Sequence, residues 1–196
     1  KWMGLHFKMN FNHPYLSSSF SGFWTRWHIS LSQWFRDYVY IPLGGSRYGT
    51  YVMWRNIWVT MLVSGLWHGA NATFIVWGAL HAGFLSIEKL TDPLCLKMPK
   101  IFRHILLVAA VLSAWVFFRS DSISQAILVL RNLYTWTPGS LQVDVFLNSY
   151  LMLLFALGFE GFYGLSRVWS PLKRFLNHDL TQSIELGVLI ACCIFL

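Results

Sequence analysis

The residue best suited to chemistry is His68, which lies in the polar stretch Ser64–Asn71 between two strongly apolar runs. An ionisable side chain at membrane depth indicates function, because hydrocarbon penalises a polar group that lacks a partner. Glycines on both sides of it would allow another backbone or a ligand to approach closely. In a helical turn, this spacing would also bring Trp67, His68 and Asn71 together. The alternative is an interfacial turn, in which Trp67 joins an aromatic belt while His68 and Asn71 only cap a helix.

A second histidine, His28, lies within residues 20–40, where aromatic and apolar side chains recur every three or four positions. This period predicts one amphipathic helix, with Ser32, Arg36 and Asp37 on its polar face and His28 at the border between the faces. So many charges prevent such a helix from crossing a membrane alone, and it should lie at the interface or in a protein cavity. The alternative is a peripheral anchor whose histidine has no role, and the pattern alone favours that anchor.

The composition is typical of a membrane protein, because 56% of the 196 residues are hydrophobic and only 12% are charged. The net charge of +7 does not indicate nucleic-acid binding. Its basic residues sit in short loops beside apolar segments, where topology and the anionic headgroups of membrane lipids account for them. The chain starts at Lys1 and stops inside an apolar run, so we expect it to be part of a longer polypeptide. Cys95, Cys192 and Cys193 lack metal-ligand spacing, and no metal site is predicted.

The segment pattern predicts an all-α, polytopic transmembrane protein with interfacial or re-entrant helices, forming one domain over residues 1–196. Residues 1–51 form the interfacial or re-entrant region, in which IPLGGSR at residues 41–47 ends the helix as a turn or re-entrant loop. Residues 52–196 contain about five transmembrane segments, at 52–66, 73–88, 101–118, 147–165 and 183–196.

Loop charges predict the orientation of these segments in the membrane. Lysine and arginine are in excess in the connections 89–103 and 166–182, which should therefore be cytoplasmic, whereas the 119–146 loop is balanced. Counting back along the chain places the His68 turn towards the outer side and residues 40–51 towards the cytoplasm.

Other ionisable residues favour structural interpretations. Glu160 lies among glycines, which favours close helix packing around a neutral or paired carboxyl group. His81 has small neighbours and should be a packed histidine with one hydrogen bond. His13 and His104 lie in or near loops and should be solvated.

Five motifs together resemble the membrane-bound O-acyltransferase family, and they are most similar to its bacterial alginate O-acetyltransferase branch. They are FWTRWHISLS at residues 23–32, WFRDYVYIPLGGSR at 34–47, GLWHGAN at 65–71, WGALH at 77–81 and WVFFR at 115–119. The resemblance implies a many-helix fold in the bacterial cytoplasmic (inner) membrane, part of which lies upstream of this sequence. It also implies a thin centre, where an acyl donor made in the cytoplasm meets an acceptor from the other side.

The resemblance also implies that His68 corresponds to the invariant histidine of the family and His28 to its second motif histidine. Acyl transfer from a thioester to a hydroxyl requires removal of the hydroxyl proton, a task that suits an imidazole. We therefore assign His68 as the general base, with Trp67 and Asn71 shaping its surroundings.

The polar side chains of the 20–40 helix are candidates for contacting the donor. His28, Ser32 or Arg36 would orient the thioester or stabilise an oxyanion, with Asp37 as a supporting residue. The choice among these residues needs a geometry that the sequence does not contain.

The expected function is the transfer of acetyl groups from an acyl thioester, acetyl-CoA or an acyl carrier, towards an extracytoplasmic polysaccharide such as alginate or towards a partner protein. No bound cofactor is expected. The competing hypothesis is a non-catalytic channel or transporter in which His28, His68 and Glu160 form a polar path. Transport would produce flux without an acyl product, which distinguishes the two.

Overall fold

The computed structural model describes residues 9–95, 98–135 and 158. Every regular element among these residues is helical, in agreement with the all-α prediction. The chain divides into two compact units, Lys1–Tyr134 and Thr135–Leu196, and the candidate site lies in the first. The predicted segment 183–196, nearly all of 147–165, and Glu160 lie outside the described residues.

The described residues form a short 3-10 turn at Pro14–Leu16, a π-helical turn at Arg36–Tyr40 that directly continues the second α-helix, and six α-helices. The α-helices are α1 (Phe20–Trp24), α2 (Ile29–Phe35), α3 (Thr50–His68), α4 (Ala72–Cys95), α5 (Lys100–Arg119) and α6 (Ile123–Thr135). The predicted segments 52–66, 73–88 and 101–118 correspond to α3, α4 and α5. Among the described helices, α5 is the one that is long and apolar enough to cross a membrane, judged by length and composition.

Helix α6 corrects the prediction of a loop over residues 119–146. Its start has a local sequence signal, because Ser122 Oγ accepts a hydrogen bond from the Gln125 N–H at 3.2 Å and Gln125 Oε1 accepts one from the Asp121 N–H at 3.0 Å. This arrangement is close to a capping box, in which a serine and a glutamine three residues later satisfy the free N–H groups of a helix start. The Ser-x-x-Gln spacing was therefore a readable sign of a helix.

The prediction of one continuous helix over residues 20–40 is wrong. Helix α1 ends at Trp24, and α2 begins only at Ile29, after His28 has taken a left-handed conformation with φ 42° and ψ 57°. The predicted aromatic face is divided as a result. Phe23 is almost fully buried, whereas Tyr38 is 69% exposed.

The break has a tertiary cause in the segment that precedes α1. The Asn10 carbonyl accepts a hydrogen bond from the Ile29 N–H at 2.8 Å, and Asn10 Oδ1 accepts one from the Ser30 N–H at 3.0 Å. The Asn12 N–H donates to the Arg26 carbonyl at 3.0 Å. In a continuous helix, the Ile29 and Ser30 N–H groups and the Arg26 carbonyl would bond within the helix. The upstream segment satisfies them instead, which allows the chain to turn at His28.

The predicted turn after residue 40 is confirmed, and α3 holds it in place. Gly44 and Gly45 both have positive φ, at 107° and 58°. The fully buried Asn56 of α3 donates hydrogen bonds from Nδ2 to the carbonyls of Leu43 and Gly45, at 3.1 and 2.9 Å. The turn is thereby attached to the same helix that ends at His68.

Helices α3 and α4 form a hairpin whose backbones touch at two glycines. A Cβ atom on Gly65 would lie 2.3 Å from the Phe74 carbonyl oxygen, and one on Gly78 would lie 2.4 Å from the Met61 carbonyl oxygen. Small residues allow this kind of close helix packing. The predicted approach of another backbone at Gly65 is therefore confirmed.

The packing around α5 corrects two expectations about histidines. Phe23 of α1 packs with Leu107 and Val111 of α5 in a core that also includes several partly buried aromatic side chains. His13 is buried, and the half-buried His104 places Nδ1 3.0 Å from the Ser17 carbonyl oxygen. The prediction that both histidines are solvated is wrong, because the segment before α1 folds against α5.

Candidate active site

His68 is the last residue of α3 and lies within a group of aromatic rings. Its ring centroid is 4.9 Å from that of Trp67, 4.9 Å from Phe118 of α5 and 5.3 Å from Trp77 of α4. The contacts with Trp67, Phe118 and Trp77 are all edge to face, with interplanar angles of 79° to 84°. Since Phe74 adds a further ring at 6.3 Å, three helices fix the position of this half-buried imidazole.

His28 lies at the turn between α1 and α2. It is within electrostatic range of His68, because a positive charge on His28 disfavours a positive charge on His68. The left-handed backbone of His28 is unfavourable for a residue other than glycine, at a cost of about 1–2 kcal/mol. Strained conformations of this kind concentrate at functional sites.

The imidazole of His28 is partly removed from water. Its Nδ1 atom is buried and has no hydrogen-bond partner among the described residues. Burial is the main cause that lowers the pKa of His28 below its ordinary value. His28 therefore favours its neutral form, which has one N–H donor and one acceptor nitrogen.

Three indole rings, those of Trp27, Trp115 and Trp77, form a wall that connects the surroundings of the two histidines. Trp27, next to His28 in the chain, has its ring centroid 5.1 Å from that of Trp115. Trp115 lies 6.0 Å from Trp77, which contacts His68. The Nε1 atoms of Trp77 and Trp115 are buried without hydrogen-bond partners among the described residues.

The other predicted site residues divide into those near His68 and those with local partners. Trp67 lies against His68 and is largely exposed. Ser32 Oγ donates to the Trp27 carbonyl at 3.0 Å. Arg36 Nε and Asp37 Oδ1 form an exposed pair at 2.8 Å, and in the described part of the chain no contact joins this pair to either histidine.

The sequence predicted that Asn71 and His68 would come together in one helical turn. They do not share a turn, because α3 ends at His68. Its Oδ1 accepts a hydrogen bond from the Thr73 N–H at 3.2 Å, and its Nδ2 donates to the Asp121 carbonyl at 2.9 Å. Asn71 therefore caps the start of α4 and ties it to the turn between α5 and α6. This matches the capping interpretation of Asn71 that the sequence left open.

His81 is fully buried, as predicted, but the expected hydrogen bond is wrong. Neither ring nitrogen has a partner among the described residues. Its neighbours are the rings of Trp24, Trp77, Phe23 and Phe84. Apart from weak contacts with their faces, these rings provide no acceptor for an imidazole N–H.

Several residues of the site were not singled out from the sequence. Trp77, Trp115 and Phe118 lie within motifs that carried the family resemblance, but their types alone did not distinguish them from core aromatic residues. A possible signal was spacing, because Trp77 and His81 are four residues apart and must share a helix face. Glu88, which binds the start of α1, stood out even less because it lies at the end of an apolar run.

The sequence of this chain is similar to those of known proteins. The probable alginate O-acetylase AlgI of Pseudomonas aeruginosa is 40% identical over 189 residues, which cover 90% of this chain and 36% of that protein. The peptidoglycan O-acetyltransferase of Helicobacter pylori is 40% identical over 139 residues, covering 67% of this chain and 26% of that protein. The teichoic acid D-alanyltransferase of Bacillus subtilis is 34% identical over 95 residues, covering 41% and 22%.

The chain spans little more than a third of the length of the alginate O-acetylases that it matches. The matched part contains both candidate histidines, since the pattern of the MBOAT, membrane-bound O-acyltransferase family, matches residues 3–123. This chain therefore belongs to the membrane-bound O-acyltransferase family.

Proposed function

We propose that the protein is a multi-pass O-acyltransferase of the bacterial inner membrane. It moves acetyl groups from a cytoplasmic thioester donor, acetyl-CoA or an acyl carrier, to an extracytoplasmic polysaccharide, directly or through a partner protein. The observation that carries the proposal is the series of ring contacts from Trp27, beside His28, through Trp115 and Trp77 to His68. The relatives named as an alginate O-acetylase and a peptidoglycan O-acetyltransferase support acetyl transfer to one of these polysaccharides.

His68 acts as the general base in this proposal. One of its nitrogens takes the proton of the acceptor hydroxyl while the hydroxyl oxygen attacks the thioester carbonyl carbon. The carbonyl oxygen gains negative charge as the new C–O bond forms. When the C–S bond breaks, the leaving sulfur takes the proton back from the His68 imidazolium, which restores the neutral base.

His28 supports the step as a neutral donor. Its N–H stabilises the negative charge on the carbonyl oxygen, a role for which pre-positioned donors in a water-poor site are effective. The lowered pKa of His28 favours the neutral form. A neutral His28 also allows His68 to become cationic, because two positive imidazoles within electrostatic range would repel each other.

The remaining predicted residues have supporting roles. Ser32 holds the Trp27 carbonyl, and Trp67 packs on His68, so both support the aromatic surroundings of the histidines. We assign the exposed Arg36 to the anionic part of the donor, with Asp37 fixing its guanidinium by a charge-assisted hydrogen bond.

The test uses the full-length protein in membrane vesicles that contain the other proteins of its native membrane. Radiolabelled acetyl-CoA is supplied with alginate in one reaction and with peptidoglycan in another, and acetyl esters are counted per amount of folded protein. His68→Ala should lower transfer on the order of 10²–10⁴-fold, the contribution of a general base.

The His28 variant is chosen to keep the backbone intact. Asparagine adopts the left-handed conformation more readily than most residues, so His28→Asn removes the imidazole without forcing the turn to change. We expect a loss on the order of 10²–10³-fold, as for one oxyanion donor. Gln33→Ala, on the following helix, is the matched control and should transfer at nearly the wild-type rate.

Two results would count against the proposal, and a third would bear only on the acceptor. Wild-type transfer by His68→Ala would remove the general base from the mechanism. Flux of a solute without any acetyl ester would support the channel hypothesis instead. Esters on peptidoglycan but not on alginate would leave the chemistry intact and correct the acceptor.

A further inference from the structure

One face of α4 carries Trp77, His81, Phe84 and Glu88, which are spaced four, three and four residues apart and so lie along the same side of the helix. The five-residue helix α1 packs along this face. At one end, the rings of Phe84 and Phe20 stack with centroids 4.9 Å apart and an interplanar angle of 21°.

Further ring contacts between α1 and α4 lead along this face towards His68. In the middle of the face, the His81 ring lies 6.4 Å from Phe23 and 5.0 Å from Trp24. At the far end, Trp24 lies 5.9 Å from Trp77, which itself contacts His68 at 5.3 Å. Helix α1 therefore reaches from Glu88 to the wall of the candidate site.

Glu88 fixes the start of α1 through its carboxylate. Its Oε2 accepts a hydrogen bond from the Phe20 N–H, and its Oε1 accepts from the Ser21 N–H at 3.1 Å and the Ser21 Oγ at 2.5 Å. The first N–H groups of a helix have no partner within the helix, and a negative charge near them is favourable. Ser19 Oγ satisfies the Gly22 N–H at 3.0 Å, so Glu88 takes the N–H groups that Ser19 leaves free.

The helix that Glu88 holds is close to His28 along the chain. Helix α1 ends at Trp24, four residues before His28, and the intervening turn is short. A displacement of α1 on α4 would therefore move His28 relative to His68, because the end of α3 stays fixed to α4 by the glycine contacts.

We propose that Glu88 is a positioning residue for acyl transfer, whose carboxylate docks α1 on α4 and thereby fixes the position of His28 relative to His68. The proposal rests on the acyltransferase function proposed above. In this proposal Glu88 contacts neither donor nor acceptor and acts through the position of His28.

The test is a double-mutant cycle in the full-length protein, with acetyl-CoA as donor and alginate as acceptor. Glu88→Ala should lower kcat on the order of 10–100-fold per folded protein, because a small misplacement of a catalytic group has effects of this size. KM for acetyl-CoA should stay unchanged, since the lost interaction belongs to the transition state. Glu88→Gln, which keeps the length and one acceptor oxygen, should lose less, and Ile87→Ala, an exposed neighbour on another face, should match wild type.

The decisive measurement is Glu88→Ala in the His28→Asn background. If Glu88 acts through His28, the second substitution should cause no further loss of kcat. Losses that multiply in the double variant would show an independent structural role and overturn the proposal, as would a folded Glu88→Ala protein with wild-type kcat. If Glu88→Ala does not insert, the same cycle with Glu88→Gln decides between these results. Failure of the acyltransferase function itself is distinguishable, because the wild-type protein would then form no acetyl ester.

Discussion

Gly65 of α3 lies against the backbone of Phe74 of α4 so closely that a Cβ atom on Gly65 would be 2.3 Å from the Phe74 carbonyl oxygen. The clash is with backbone, so no side chain can rotate to relieve it. His68 follows Gly65 by three residues, and the crossing therefore determines where α3 places the proposed base.

Gly65→Ala should separate α3 from α4 and destabilise the protein by about 1–3 kcal/mol, the usual cost of overpacking. Gly83→Ala on α4 is the control, because its Cβ would meet nothing within 4 Å. At that helical position, alanine should stabilise by up to about 1 kcal/mol. Thermal unfolding in detergent measures both effects, and equal melting temperatures for the two variants would contradict the proposed importance of the crossing.

Asn71 provides a second prediction, which separates capping from chemistry. Asn71→Ala removes both of its hydrogen bonds and should cost about 1 kcal/mol of stability for the lost cap. Asn71→Asp keeps the acceptor for the Thr73 N–H but loses the donor to Asp121, and should lie between alanine and wild type. Transfer per folded protein should be unchanged in Asn71→Ala; a loss as large as that of His68→Ala would return Asn71 to the reaction centre.

The long helices α3, α4 and α5 could be predicted from the sequence because apolar runs of helical length are local signals. A histidine between two apolar runs made His68 a candidate for the same reason. The family motifs made His28 a candidate, whereas the periodic pattern alone favoured it as part of an anchor.

What could not be predicted depends on partners distant in the chain. The turn at His28 exists because Asn10 binds the N–H groups of residues 29 and 30, and no periodicity within 20–40 contains that information. Glu88 is 68 residues from Phe20, so its binding to the start of α1 was equally invisible. The aromatic surroundings of His68 likewise combine rings from three helices.

The third prediction follows from the pKa of His28, which burial lowers from 6.5. Below about pH 6.5, His28 is protonated in the unfolded chain but still favours its neutral form in the folded protein. The contribution of His28 to stability is therefore complete above about pH 6.5 and is lost as the pH falls towards the lowered pKa. Melting temperatures of wild type and His28→Asn, measured from about pH 7.5 to pH 5, should show a smaller decrease in the variant. Parallel curves would mean that the imidazole of His28 is not buried in the folded protein.

The fourth prediction concerns which side of the membrane each turn faces. The excess of basic residues in the 89–103 connection predicts that the turn at 41–47 faces the cytoplasm and that the turn after His68 faces the outer side. Ser46 and Ala70 are exposed in these two turns and can each be changed to cysteine after the natural cysteines of the protein are replaced. In intact cells, a membrane-impermeant maleimide should label Ala70→Cys, and it should label Ser46→Cys only after the membrane is opened. The reverse pattern would place His68 on the cytoplasmic side, where the acceptor rather than the donor would have to cross the membrane to reach it.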